Sequence, residues 1–203
     1  EKVWLPVEPP EVVTRRPPTV PPDWYIPYKN DSSMVPEMAP FGQGYRYHVT
    51  GLVHDERGFP TERPDEVQAF FARLFGKLDR YSQDLTLWRS YHLEEAEFLI
   101  IAYGSPARAA RHAAQVLREK MGKPVGVLQL VTLFPFPKQV VNDAAQGRKL
   151  LVVPEMNLGH MRAEVECGLR GTTKVIGVNR TDGTLITPRQ IMEAILEAEA
   201  GHL

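Results

Sequence analysis

Downstream of residue 97 the chain alternates between short apolar runs and longer segments in which apolar residues recur every three or four positions. Phe98–Ala102, Val125–Leu130, Leu150–Val153 and Lys174–Val178 are the runs. Runs this short and this apolar fit strands buried on both faces, and each is followed by a helical period. Ala110, Ala114, Leu117 and Met121 share one face of a helix over 107–121. A weaker helix carries Val140, Val141 and Ala144, a third runs from Met161 to Leu169 and ends at Gly171, and the last presents Ile191, Ile195 and Leu196 behind Thr187-Pro188. Strand followed by helix, four times over, predicts a mostly parallel sheet, because parallel neighbours need a crossover and the crossovers cover both faces. The fold class expected is α/β, doubly wound.

Upstream the pattern is different. Ten of the 18 prolines precede Phe41. A fixed φ and a missing amide donor exclude helix and central strand there, so residues 1–40 are expected to form an extended arm. Trp4, Trp24, Tyr25, Ile26, Tyr28 and Met34 are too many large apolar groups for a solvated tether, which predicts an arm laid against a protein surface. Residues 41–203 are then the domain proper. Tyr45–Val53 reads as an irregular or edge strand, and Val67, Phe70, Phe71, Leu74 and Leu78 mark an amphipathic helix opened by Pro64, with Thr61 as its cap.

Composition narrows the functions open to such a domain. With a net charge of -1 and basic residues dispersed among acidic ones, no patch is suited to nucleic acid. No apolar run approaches the ~20 residues that cross a bilayer, and the start lacks a signal-peptide core, so a cytoplasmic location is expected. Cys167, the one cysteine, can form neither an internal disulfide nor a cluster site of several thiolates, and its helical setting predicts a small buried residue.

In a doubly wound sheet the loops at the carboxyl ends of the strands form the rim where ligands or partners meet the protein. Here they are Gly104-Ser105, Phe134–Phe136, Glu155–His160 and Asn179–Asp182. Glu155, Asn157 and His160 offer a carboxylate, an amide and a titratable ring, able to serve acid–base chemistry or simply to cap the following helix. Gly104 and Ser105 open a helix whose amides could meet an anion, although Ser105 before Pro106 also fits an ordinary N-cap. His48, His54 and Asp55 suggest a metal site less well than a hydrogen-bonded turn or an interface, and Thr181-Asp182-Gly183 reads as a turn.

Four stretches in order, Pro40–Arg46 (PFGQGYR), His48–Pro60 (HVTGLVHDERGFP), Pro135–Pro137 and Pro154–Gly159 (PEMNLG), resemble the C-terminal half of the α subunit of 2-oxoacid:ferredoxin oxidoreductases, notably the two-subunit 2-oxoglutarate type. The resemblance extends from Met38 onward. It implies a transketolase C-terminal-like domain in an enzyme that decarboxylates a 2-oxoacid on thiamine diphosphate with Mg2+, passes electrons through an iron-sulfur cluster to ferredoxin, and releases an acyl-CoA. By the same resemblance the pyrimidine-binding domain lies upstream and the diphosphate and cluster sites lie in the β subunit. The expectation is therefore an assembly domain that binds no cofactor alone and carries no catalytic residue. His48, His54, Asp55, Glu155, Asn157 and His160 are its candidate interface or active-site wall. The alternative is a stand-alone binder of a nucleotide or CoA-like anion at Gly104-Ser105.

Overall fold

A computed structural model describes residues 8 and 11 and residues 14–201; Trp4 lies outside them. The chain divides into two compact units, Glu1–Tyr81 and Ser82–Leu203. The change of composition at residues 40–41 and the break in compactness at 81–82 therefore fall at different places.

The first unit has little regular structure before its helix. A 3-10 turn at Pro22–Trp24 interrupts the arm, whose described residues otherwise run without helix or strand. Side chains anchor it: Tyr25 packs edge-on against Tyr45 and Tyr47, its hydroxyl donates to the Glu37 carbonyl at 3.0 Å, and Arg16 pairs with Asp31 at 2.6 Å. The arm thus lies on residues of its own unit, as its aromatic content predicts, although Trp24 stays 77% exposed. The strand expected over Tyr45–Val53 is not formed. Only an isolated antiparallel bridge, His54 to Pro60, marks this stretch, because glycines and a tight turn dominate it. Helix α1 spans Pro64–Arg80, with Pro64 in its first turn as expected. Thr61 is not its cap; the N-cap position is Arg63, and the Thr61 hydroxyl donates to Glu66 instead. Despite its amphipathic sequence, α1 buries no residue fully, and Phe71 and Phe75 are exposed.

The second unit holds the sheet. Its elements are α2 (Ser82–Leu85), β1 (Trp88–Tyr91), β2 (Phe98–Tyr103), α3 (Pro106–Met121), β3 (Val125–Leu130), α4 (Lys138–Ala145), β4 (Leu150–Glu155), α5 (His160–Gly168), β5 (Lys174–Asn179) and α6 (Pro188–Glu199). Strand order is β1-β3-β2-β4-β5, with β1 antiparallel to β3 and every other pair parallel. The four predicted strands are all present. The sequence reading missed β1, because Trp88-Arg89-Ser90-Tyr91 is a short edge strand without a clean apolar alternation, and it is exposed except at Tyr91.

Two cores sandwich the sheet. Ile100 and Val127 meet Ala110, Ala114 and Leu117 of α3 and Ile191 and Ile195 of α6 on one face. Leu99, Leu128 and Leu151 meet Val141 of α4 and Met161 and Val165 of α5 on the other. Alternate side chains of one strand point to opposite faces, so a continuous apolar run serves both cores, and each buried Leu or Ile contributes roughly 1.5–3 kcal/mol. Two details depart from expectation. Met121, in the last turn of α3, is 49% exposed, and α5 stops at Gly168, ahead of Gly171. The start of α6 follows the sequence: Thr187 and Gln190 form a reciprocal capping box.

Candidate functional site

Helix placement defines where this sheet can open. The connection after β2 runs over one face by way of α3, while the connection after β4 runs over the other by way of α5. Neighbouring strands whose chains leave in opposite directions form a topological switch point, where doubly wound proteins place ligands. Register strengthens the point. β2 pairs with β3 through Tyr103 and β4 with β5 through Glu155, yet β2 and β4 pair only over Phe98–Ile100 and Leu150–Val152. Beyond Ile100 and Val152 the two chains meet through side chains, with Tyr103 and Ser105 on one side and Glu155, Met156 and Asn157 on the other.

Glu155 is the sharpest feature there. It is 0% exposed, and among the described residues it forms no ion pair. Oε2 accepts from the Met161 amide at 2.9 Å, Oε1 from the Arg162 amide at 3.0 Å, and the Tyr103 hydroxyl lies 3.4 Å from Oε2. A buried carboxylate needs such donors, and the first turn of α5 supplies two, together with the positive end of the helix dipole. Asn157 completes the cap: its Oδ1 accepts from the Gly159 and His160 amides at 2.9 Å each. Gly159, at φ 107°, makes the left-handed step into the helix that a side chain would resist.

Tyr103 joins the strands. Asn157 Nδ2 donates to its hydroxyl at 2.8 Å, and Asn179 Nδ2, at the end of β5, donates to the Asn157 carbonyl at 2.9 Å. Burial, and then the neighbouring Glu155 charge, push the Tyr103 hydroxyl above its ordinary pKa, so it remains a donor at neutral pH. The chain of bonds fastens the loops after β2, β4 and β5 to one another.

The candidate residues therefore separate. Glu155 and Asn157 meet through Tyr103, which the sequence reading overlooked; its signal was being the last residue of an apolar run and the first polar one at the rim. His160 is exposed, and among the described residues only its backbone takes part in the cap. Ser105 does not cap α3. Its hydroxyl faces Met156 Sδ at 3.4 Å, and the first amides of the helix, on Ala107 and Arg108, donate to Gly104 and Ser105 carbonyls. Those amides are spent locally, which removes the support for an anion at Gly104-Ser105.

His48, His54 and Asp55 lie in the first unit. Asp55 Oδ1 accepts from the Arg57 and Phe59 amides, and Gly58 turns the chain at φ 88° where a Cβ would sit 2.3 Å from the His48 carbonyl oxygen. His48 stacks on Phe59 and His54 packs between Tyr28 and Phe70. Among the described residues no three His, Cys, Asp or Glu side chains are grouped to hold a metal. Asp182 is likewise committed: it pairs with Arg180 and accepts from the Thr184 amide and hydroxyl, which together hold its carboxyl far below the usual range. The turn reading of Thr181–Gly183 is thus the observed one. Cys167 is exposed, contrary to expectation, because it falls on the outer face of α5 two residues beyond buried Val165. A single thiolate does not fit an iron-sulfur cluster.

The fold and the rim define a doubly wound α/β domain whose loops after β2, β4 and β5 are fastened together at the switch point. Residues 96–191 match the family model described as pyruvate:ferredoxin oxidoreductase core domain II. The 2-oxoglutarate synthase subunit KorA of Methanocaldococcus jannaschii is 38% identical over 186 residues, which are 92% of this chain and 49% of that protein. KorA of Methanothermobacter thermautotrophicus is 35% identical over 198 residues, 97% of this chain and 52% of the relative. Among solved structures, the 2-oxoglutarate:ferredoxin oxidoreductase from Magnetococcus marinus, with 2-oxoglutarate, coenzyme A and succinyl-CoA bound, superposes with a TM-score of 0.75 at 23% identity, over 92% of this chain and 32% of that one. That likeness supports the fold. The chain carries this oxidoreductase core domain over residues 96–191, is similar to KorA subunits along nearly its whole length, and spans about half the length of the curated relatives it matches. No helix among the described residues is long and apolar enough to cross a membrane.

Proposed function

We propose that this chain is an assembly domain of the α subunit of a 2-oxoacid:ferredoxin oxidoreductase, with 2-oxoglutarate as the 2-oxoacid. The observation that carries this reading is the 35–38% identity to KorA subunits over nearly the whole chain. In the intact complex a 2-oxoacid would be oxidatively decarboxylated to an acyl-CoA while ferredoxin is reduced. Thiamine diphosphate with Mg2+ and an iron-sulfur cluster would supply the carbanion chemistry and the electron path. This chain's own polar groups are not disposed to hold them, since the buried Glu155 caps a helix, Asp182 closes a turn and Cys167 stands alone.

Its residues would act by shape. Asn157, the Glu155-capped loop and His160 would form wall or contact surface on the sheet's carboxyl rim, and His48 with the turn at His54-Asp55 would meet the pyrimidine-binding domain or the β subunit. The domain would run from residue 41, with the proline-rich stretch as its arm, and work in the cytoplasm.

Titration calorimetry of the chain with thiamine diphosphate and Mg2+ tests the reading. No heat of binding is expected from the chain alone. CoA-dependent dye reduction with 2-oxoglutarate is expected once the complete α subunit and its β subunit are combined. Tight coenzyme binding or turnover by this chain alone refutes it.

A further inference from the structure

The first unit contains a cavity of about 560 Å3, within the size range of small-molecule sites, formed by the arm, the turn after His54 and the first turns of α1. His54 lines it, packed between the rings of Tyr28 and Phe70 and only 8% exposed. Its Nδ1 lies 2.8 Å from the Asp55 carbonyl oxygen, which can only accept, so that nitrogen carries the proton of the neutral ring and Nε2 is left with a lone pair. Among the described residues nothing donates to Nε2. Nor is the atom sealed off, since the buried side-chain nitrogen that lacks a partner among the described residues is Nε of Arg162. A buried imidazole that lines the cavity thus keeps an unused acceptor open to it.

The charges around the ring favour a cation. Asp55, Glu56, Asp65 and Glu66 line the cavity against Arg57 and Arg73. Asp65 and Glu66 share Arg63 as their counter-ion, at 2.9 and 3.2 Å. Asp55 accepts only from the neutral amides of Arg57 and Phe59, so its charge stands unneutralised, and Glu56 forms no ion pair among the described residues. Arg73 lies over the Phe70 ring at 5.8 Å, and Arg57 is an exposed turn residue. Even with Arg63 counted, four carboxylates face three guanidinium groups. An anion would meet a lone pair and an acidic wall, whereas an ammonium group meets an acceptor and its own counter-charge. A primary ammonium presents three N–H donors on a compact head, and Ile26, Ala69 and Phe70 offer apolar contact to its alkyl stem.

We propose that this cavity binds a primary alkylammonium group, one N–H of which donates to Nε2 of His54 while its charge faces Asp55 and Glu56. A free amine and a lysine side chain carry the same head group, and the test separates them. The site lies within the first unit and does not depend on the reading given for the domain that carries the sheet.

The full chain, labelled with 15N at histidine, is titrated at about pH 8, where an ordinary imidazole of pKa ~6.5 is neutral. The ligands are propylammonium and Nα-acetyl-lysine methylamide, with tetramethylammonium and succinate as controls, and long-range 1H–15N correlation follows Nε2 of His54. Propylammonium moves that resonance saturably, in the direction of a nitrogen that accepts a hydrogen bond. Tetramethylammonium, which has the charge but no N–H, binds about tenfold more weakly or worse, equivalent to at least ~1.4 kcal/mol, and succinate gives no saturable shift. Glu56→Gln, at an exposed turn position, raises the propylammonium Kd about threefold with the melting temperature unchanged. Tighter binding of the lysine derivative than of propylammonium identifies a site for a protein's lysine, and weaker binding a site for a free amine; both support the proposal. No saturable shift with either amine, equal binding of tetramethylammonium, a saturable response to succinate, or a Kd unaltered by Glu56→Gln overturns it, and the comparison of ligands stands without the variant should that fold poorly.

Discussion

Replacing Glu155 with glutamine isolates the physical role of the buried carboxylate, because size and shape are kept while the charge and one acceptor are lost. In the native protein its two oxygens receive the Met161 and Arg162 amides at 2.9 and 3.0 Å in a site without solvent exposure. Hydrogen bonds to a charged group contribute roughly 1.5–3 kcal/mol each, and a helix N-terminus adds up to ~2 kcal/mol for a partly buried anion. A carboxamide keeps one acceptor and turns its NH2 toward the other helix amide, leaving two donors face to face. Against this stands relief from the desolvation cost of the anion, which offsets part of the loss. The net expectation is a destabilisation of about 2–4 kcal/mol, toward the upper end of ordinary single substitutions. Urea unfolding followed by far-ultraviolet circular dichroism measures it, with the transition of the sheet-containing unit fitted separately because the chain has two compact units. A midpoint and slope equal to those of the native chain would refute the reasoning, and Glu155 would then be available for chemistry instead of capping.

Tyr103→Phe removes the hydroxyl that receives Asn157 Nδ2 at 2.8 Å and should cost about 1 kcal/mol, with faster amide exchange at Asn157 and His160 as the readout. Gly58→Ala combines an unfavourable φ with a Cβ 2.3 Å from a backbone oxygen that cannot yield, so the first unit should lose at least ~2 kcal/mol, measured by the onset of proteolysis there. Asp31 should titrate in carboxyl NMR with a pKa of about 2, lowered first by its bonds from Ser33 and then by Arg16. The stabilisation this gives the arm is complete above the unfolded carboxyl value of ~3.9 and fades as pH falls through the folded one. His48→Ala, at an exposed ring stacked on Phe59, should leave the melting temperature unchanged yet weaken association of the complete α subunit with its β subunit on gel filtration; an unaltered complex counts against an interface there.

The amino-acid order alone determined the class of fold. Each of the four runs that feeds both cores had to be a doubly covered strand, and Thr187-Pro188 with Gln190 set the start of α6 from local chemistry that needs no tertiary partner. The motif series from Pro40 to Gly159 likewise carried the family. Tertiary structure alone decided the rest, because those outcomes depend on contacts between residues far apart in sequence. β1 exists only because β3 offers an edge, and the strand expected over Tyr45–Val53 gives way to glycines and a tight turn. The cap at Glu155 could be anticipated, but its link to Tyr103 and Asn179 arises where β2 and β4 part company, a separation set by helices leaving toward opposite faces. Which polar groups are spent and which remain open is likewise a property of proximity: the α3 amides looked available in one dimension, while His54 was surrounded by charges whose pairings only folding fixed.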